Sequence, residues 1–150
     1  MKVDYFTIPE ITVSYKDNVK TSERAVIGNS ADAAKIFAAA CKDYMQHHEE
    51  VYVMFLNRAG RVLGIFQAAK GGMAGATFDI KIILQTALKV SASAILLSHN
   101  HPSGNTKPSG QDISMTKALQ KGCQALDIKL LDHVIITDET FTSFADSGLL

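Results

Sequence analysis

The chain has 150 residues, of which 47% are apolar and 20% are charged, and its fifteen basic side chains balance fifteen acidic ones. This length and composition are typical of one globular domain. Zero net charge means that the chain lacks the broad positive field on which phosphate binding usually depends. No stretch approaches the roughly 20 apolar residues of a membrane helix, and the start MKVDYFTIPE lacks the apolar run of a signal peptide. We therefore expect a soluble cytoplasmic protein.

The first third of the chain predicts a strand followed by a helix. Residues 10–16 (EITVSYK) alternate apolar and polar side chains, which is typical of an exposed or edge strand. Residues 29–48 carry apolar side chains at helical spacing, and Asn29 or Ser30 can cap the first turn.

A hairpin and a glycine-rich connection follow this helix. The apolar run 51–57 predicts a strand buried on both faces, and the turn RAG joins it to a returning strand over 61–69. Residues 70–77 (KGGMAGAT) lack the GxxxxGK[ST] pattern of a phosphate-binding loop, so we interpret them as a connection.

The second half of the chain alternates helices and strands. A helix over 78–90 is apolar nearly all round, so we expect it to be buried. The short apolar run 93–98 is typical of a strand at the centre of a sheet. A third helix is predicted over 109–127, and a further strand over 128–137.

The predicted order of elements is roughly β-α-β-β-α-β-α-β, with Phe141 and Phe144 of the tail covering an edge of the core. This order predicts an α/β domain with a mixed sheet and helices on its faces. Cys41 and Cys123 lie on apolar helix stripes and show no CxxC spacing, so buried thiols are expected and no disulfide framework is implied.

The segment SHNHPSGNTKPSGQD, residues 98–112, places two histidines at the end of the most apolar strand. His99 and His101 are two residues apart, so in an extended chain they project to the same side. A Pro- and Gly-rich loop then returns Asp112 to meet them. Two imidazoles and one carboxylate suit a zinc ion that keeps one position for water, although other divalent ions accept the same ligands.

The same residues also have a simpler interpretation. S-x-x-D at 109–112 is a capping box, with Ser109 at the N-cap and Asp112 three residues later, and it would exist for helix stability alone in most sequences. The metal site is favoured because three ligands share one loop at suitable spacing behind an apolar strand.

H-N-H-P followed by S-G-Q-D resembles the motif of the JAMM (MPN+) metalloproteases. The longer stretches AILLSHNHPSGNTKPSGQD and LLDHVIIT resemble the RadC family, which was named for DNA repair, as do HHEE and VYVMFLNRAGRVLG. The resemblance covers about residues 45–140. It implies a JAB/MPN-type fold, a mixed β-sheet flanked by helices that is related to the cytidine-deaminase-like folds. Residues 1–150 would form one such domain, with 1–27 as an N-terminal strand or extension.

The resemblance also implies roles for five residues. His99, His101 and Asp112 match the metal ligands, which implies one zinc ion per chain. Ser109 matches the serine that helps to stabilise an oxyanion. Glu49 matches the upstream glutamate that serves as general acid and base, so the implied reaction is hydrolysis of an amide or isopeptide bond.

The choice of Glu49 over Glu50 depends on register. In a strand the two side chains face opposite sides, and both sides are apolar here, so periodicity does not choose between them. In the RadC-like pattern the glutamate lies eight residues before the Asn or Asp that ends the strand, here Asn57, which selects Glu49.

Other polar residues receive structural interpretations. Asn100 is expected to order the loop by a hydrogen bond. Asp132 and His133 are expected to form a satisfied polar pair, with a supporting contact to a ligand imidazole as the alternative. His47 and His48 are expected to end a helix, where a positive charge is favourable.

The preferred function is a zinc-dependent metallopeptidase or isopeptidase that acts on a peptide or protein. The alternatives are a DNA-repair-associated nucleic-acid-binding protein or metallonuclease, and a non-catalytic metal-binding module. Fuller RadC proteins carry a helix-hairpin-helix segment ahead of this domain. Residues 1–44 are too short for one and begin with a strand-like pattern, so we expect none there, which weakens a direct DNA role. Nucleic-acid binding is therefore expected to be weak, no membrane partner is expected, and the oligomeric state stays open.

Overall fold

A mixed sheet with helices on both of its faces forms the centre of the fold, as the sequence predicts. The structure is a computed structural model that describes residues 9, 11–71 and 77–150. The strands are β1 (Glu50–Leu56), β2 (Val62–Lys70), β3 (Ala94–Asn100), β4 (Lys129–Ile136) and β5 (Phe141–Ser143), and the α-helices are α1 (Ser30–Cys41), α2 (Ile80–Lys89) and α3 (Gly110–Ala125).

Strand β3 lies in the middle of the sheet, whose order is β2-β1-β3-β4-β5. It pairs antiparallel with β1 and parallel with β4. Every residue of β3 is buried, which confirms the prediction of a central strand. Its two neighbours satisfy its backbone hydrogen bonds, so a continuous apolar run is stable there.

Alternate side chains of β3 enter two separate cores. Ile95 and Leu97 belong to the core that α2 and α3 cover, whereas Ala94 and Leu96 belong to the core that α1 covers. The same alternation, continued past the apolar run, assigns His99 to the side of α3 and Asn100 to the side of α1.

The strand predicted over residues 10–16 is not formed. Residue 10 lies outside the described residues, and residues 11–16 have no regular secondary structure and are exposed. An alternating pattern gives a strand only when a neighbour pairs with its backbone. Here the contact with β2 is made by a side chain, because the Tyr15 hydroxyl donates to the carbonyl oxygen of Leu63.

The first helix is shorter than predicted. Asn29 caps it by accepting a hydrogen bond from a first-turn amide, but the helix ends at Cys41 instead of reaching His48. Residues 42–47 form turns instead, and the carbonyl oxygens of Met45 and His48 accept hydrogen bonds from the side chain of Asn100.

Helix α2 is buried on one face only, which corrects the prediction of a fully buried helix. Ile83 and Ala87 are inaccessible, but Ile82 and Leu88 are 45% and 56% exposed. The helix lies on the outside of the sheet, so only the side toward the sheet and α3 is covered. Within the described ranges, no helix combines the length and apolar character that crossing a membrane requires.

Two other features concern the connection after β2 and the tail. Residues 72–76 of the predicted glycine-rich connection lie outside the described residues.

Phe144 is fully buried and Phe141 packs against the α1 core, which confirms that they cover the core edge. The sequence did not reveal that Phe141 begins a short strand, β5, that pairs with β4.

Both cysteines are free and fully buried, as predicted, so we expect them to resist thiol reagents in the folded protein. Burial raises the pKa of Cys41 to about 12, with a further contribution from the charge of Glu50, and burial raises the pKa of Cys123 to about 11. The thiolate is the reactive form. With Ellman's reagent at pH 8, neither thiol should react until denaturant is added, and then both should. Rapid reaction of either thiol in the native protein would contradict this packing.

Candidate metal centre

The end of strand β3 presents two imidazoles on the same side of the sheet. His99 pairs with Ile135 of β4, and the amide of His101 donates to the carbonyl oxygen of Ile136 over 2.9 Å. This hydrogen bond keeps the chain beside β4 for one residue beyond the strand. The backbone therefore stays ordered at both histidines, and their rings lie against each other with centroids 4.6 Å apart.

The capping box is formed, and it orients the third group of the site. The Ser109 hydroxyl accepts from the amide of Asp112 over 3.0 Å, and Asp112 Oδ2 accepts from the amide of Ser109 over 2.8 Å. The two interpretations of S-x-x-D are thus compatible, because the cap fixes the carboxylate that faces the histidines. Within the described part of the chain, the Ser109 hydroxyl is used only as an acceptor, so its proton is available for donation.

Three potential ligand atoms converge between β3 and α3. Nε2 of His99 lies 3.3 Å from Asp112 Oδ1, and Nε2 of His101 lies 3.5 Å from Asp112 Oδ2. The two Nε2 atoms are 2.8 Å apart. Ligands at about 2.0–2.1 Å from a tetrahedral zinc ion are separated by roughly 3.3 Å, so the donor set fits such an ion with a small outward shift of the rings. Among the described residues, these three form the one cluster suited to a metal.

His101 is held in the tautomer that a metal ligand requires. Its Nδ1 lies 2.6 Å from the carbonyl oxygen of Asn105, which can only accept a hydrogen bond. The proton of a neutral ring therefore sits on Nδ1, and the lone pair of Nε2 faces the cluster. The loop between β3 and α3 thus orients the ring as well as connecting the two elements.

The electrostatics of the cluster favour a bound cation. Burial opposes ionisation of Asp112, but its contacts with the His101 and His99 rings hold its pKa well below the usual range. The hydrogen bond to Asp112 raises the pKa of His101 against the opposing effect of burial, and Asn105 and the charge of Glu49 add to the rise. In the absence of an ion the cluster therefore attracts a proton, which a divalent cation would displace on binding.

His133 makes a supporting contact to the His99 ring, which is the alternative that the sequence left open, and the preferred polar pair with Asp132 is not formed. His133 Nε2 lies 2.7 Å from His99 Nδ1, on the side of α3. The Asp132 carboxylate accepts instead from the Ser143 hydroxyl, from the amide of Ala145 and from the backbone amide of His133. Adjacent residues of a strand face opposite sides, and a bulge in β4 decides that His133, and not Asp132, faces α3. The sequence does not reveal this bulge.

The two adjacent glutamates lie in different surroundings. Val51 pairs with His99 across β1 and β3, so alternation places Glu49 on the His99 side and Glu50 on the opposite side. Glu49 is half-buried, and its charge acts on His101. Its role as general acid and base stays a prediction, but its position is compatible with that role.

Glu50 belongs to a buried polar cluster beneath α1. Its carboxylate is inaccessible and accepts a hydrogen bond from the Tyr52 hydroxyl over 2.8 Å. His48 Nε2 lies 2.9 Å from the other carboxylate oxygen, and His47 contacts the far side of the His48 ring. These residues serve the α1 face, so neither histidine joins the cluster of ligands.

Asn100 ties the segment that carries Glu49 to the strand that carries both histidines. Its Oδ1 accepts from the amide of Glu50 over 2.8 Å, and its Nδ2 donates to the carbonyl oxygens of Met45 and His48. These three hydrogen bonds cross-link the two chain segments. Asn100 therefore orders more of the structure than the one loop that the sequence predicted.

We expect Asn100→Ala to lower the free energy of unfolding by about 2–4 kcal/mol, because it leaves buried backbone groups without partners. Ser98→Ala is the matched control in the same strand. The Ser98 hydroxyl is buried and has no partner among the described side chains and backbone groups, so its removal should be neutral or stabilising. Urea unfolding of both variants measures the difference. Equal stability of the two variants would contradict the cross-linking role of Asn100.

The sheet, the H-x-H pair at the end of its central strand and the aspartate at the start of the next helix define a JAB-type domain. The family model of the RadC-like JAB domain matches residues 27–149. The chain therefore belongs to the RadC-like JAB family, and the resemblance seen in the sequence is confirmed.

Similar proteins of this family are longer than the chain. It is 41% identical over 102 residues to the UPF0758 protein of Flavobacterium johnsoniae, which covers 68% of this chain and 44% of that protein. It is 43% identical over 103 residues to the UPF0758 protein of Porphyromonas gingivalis, with 68% and 45% covered. The UPF0758 protein of Acidithiobacillus ferrooxidans is 41% identical over 96 residues, with 64% and 43% covered. The chain thus spans less than half the length of these relatives.

Proposed function

We propose that this domain is a zinc-dependent hydrolase of JAMM type that cleaves amide or isopeptide bonds in a peptide or protein. The observation that carries the proposal is the convergence of two Nε2 atoms and one ionised carboxylate, from His99, His101 and Asp112, in a single cluster. A catalytic zinc site has about three protein ligands and leaves a position for water.

A divalent ion held by these ligands would supply Lewis acidity and lower the pKa of water. Glu49, on the same side of the sheet as His99, would accept a proton from the attacking water and then pass it to the leaving amine. The Ser109 hydroxyl, whose proton is not used by the capping box, would donate to the developing negative charge on the carbonyl oxygen. The capping box would keep Asp112 and Ser109 in fixed relative positions throughout the reaction.

Two properties of the chain favour peptide hydrolysis over phosphodiester cleavage. The net charge is zero, whereas binding to a phosphate backbone depends on concentrated positive charge. The described residues contain one metal-type cluster, whereas phosphoryl transfer often uses two ions. A peptide or protein is therefore the proposed partner, and weak nucleic-acid binding is a secondary property.

We expect one zinc ion per chain. Elemental analysis after purification without chelator, followed by zinc titration, should give a stoichiometry near one, and Asp112→Asn should bind zinc far more weakly because the ionised ligand is lost. His47→Ala is the matched control, since His47 is exposed and outside the cluster, and it should keep full occupancy. Absence of metal together with no binding on titration would refute the site.

We expect Glu49→Gln to retain zinc and the fold but to lose hydrolysis by a factor of about 10²–10⁴, because a neutral amide cannot accept the proton from water. A library of peptides and isopeptide-linked peptides provides the assay. Glu50→Gln is the adjacent control. It should keep activity close to the original level, and its buried carboxylate contacts mean that stability is the property it changes. The assignment is wrong if Glu50→Gln is inactive while Glu49→Gln is active.

A further inference from the structure

A buried hydrogen-bonded chain connects His99 to the helix that carries Asp112. His99 Nδ1 lies 2.7 Å from His133 Nε2, and His133 Nδ1 lies 2.6 Å from the hydroxyl of Thr116. That hydroxyl lies 2.6 Å from the carbonyl oxygen of Asp112. His133 and Thr116 are 2% and 1% exposed, so bulk water does not compete for these contacts.

The direction of this chain is fixed at its Asp112 end. A carbonyl oxygen only accepts hydrogen bonds, so the single proton of the Thr116 hydroxyl points at Asp112. Thr116 Oγ1 must then accept from His133, which places a proton on His133 Nδ1. In a neutral His133 ring the other nitrogen, Nε2, is bare and accepts the Nδ1 proton of His99.

The surroundings of His133 support the neutral ring. It stacks on Phe144 with centroids 4.4 Å apart, and its described side-chain hydrogen bonds go to His99 and Thr116, neither of which is a carboxylate. A cationic ring at this depth would need an acidic partner. The carboxylate of the adjacent Asp132 accepts from the Ser143 hydroxyl, and alternation places it on the opposite side of β4.

A bulge in β4 brings His133 to this position. The pairing of β3 with β4 shifts by one residue at Leu131, which has no partner in the register. His133 consequently pairs with Leu97, on the side of β3 that also carries His99. Bulges re-aim side chains in this way, often beside functional sites.

We propose that His133 and Thr116 are positioning residues that fix the tautomer of His99. With its proton held on Nδ1, His99 presents the lone pair of Nε2 toward His101 and Asp112. If these hydrogen bonds ran in the opposite direction, the His99 proton would sit on Nε2, where it blocks binding of a metal ion. The inference rests on the proposed function, because it assigns these residues to the ligand side of the same site.

The test compares Thr116→Val, which removes the hydroxyl at nearly constant shape, with Thr116→Ser, which keeps it. Zinc dissociation constants are measured by competition with a chelator, and thermal unfolding shows that each variant is folded. We expect Thr116→Val to weaken zinc binding by about 10–100-fold, as is typical when a partner of a metal-bound histidine is lost. Thr116→Ser should bind zinc as the original protein does. Equal zinc binding by the valine and serine variants would overturn the proposal.

Nitrogen-15 NMR of the histidine rings provides a readout that does not depend on zinc. In the metal-free original protein, His133 should be neutral with its proton on Nδ1, and this signature should be kept in Thr116→Ser and lost in Thr116→Val. A His133 proton on Nε2 in the original protein would overturn the proposal even if the valine variant failed to fold. Failure of the original protein to bind zinc would instead refute the proposed function. The nitrogen-15 signals of the rings would still show in which direction the hydrogen bonds between His99, His133 and Thr116 run.

Discussion

The burial of strand β3 on both faces is the constraint on which the rest of the structure depends. Because its side chains alternate between two cores, the end of the strand has two different faces as well. His99 continues the row beneath α3, where Asp112 lies, and Asn100 continues the row beneath α1, where it binds the segment that leads into β1. One strand thus supplies ligands to one face and the anchoring amide to the other.

Much of the fold and of the site can be predicted from the sequence, because the signals are local. Apolar runs predict the central strands. The H-x-H and S-x-x-D patterns predict the cluster of ligands, because residues two apart in a strand share a side and a capping box fixes the first turn of a helix. The exposed strand over 10–16 was wrong because alternation carries no information about whether a pairing partner exists. The extent of α1 was wrong because the helical spacing of apolar residues does not reveal that residues 42–47 form turns, which present the carbonyl oxygen of Met45 to Asn100.

The sequence left a supporting contact of Asp132 or His133 only as an alternative, because the choice between the two side chains depends on register. An uninterrupted alternation along β4 would place Leu130 and Asp132 on one side, and it would turn His133 to the other. Thr116 gave no signal either, since a threonine within a helix usually bonds to the carbonyl four residues earlier for local reasons. Only the three-dimensional packing shows that this local bond also sets the proton position of a neighbouring ring.

The bulge at Leu131 has a consequence for how such a site can arise during evolution. A point substitution changes which side chain stands at a position, but it does not change the face to which that position points. The bulge absorbs one extra residue, Leu131, so the residues on either side keep the pairs Leu130–Ile95 and His133–Leu97 that an uninterrupted ladder would also allow. An ancestral strand of regular alternation could therefore carry the imidazole opposite Leu97, beneath His99, and a later insertion would be absorbed as the bulge without turning that ring away.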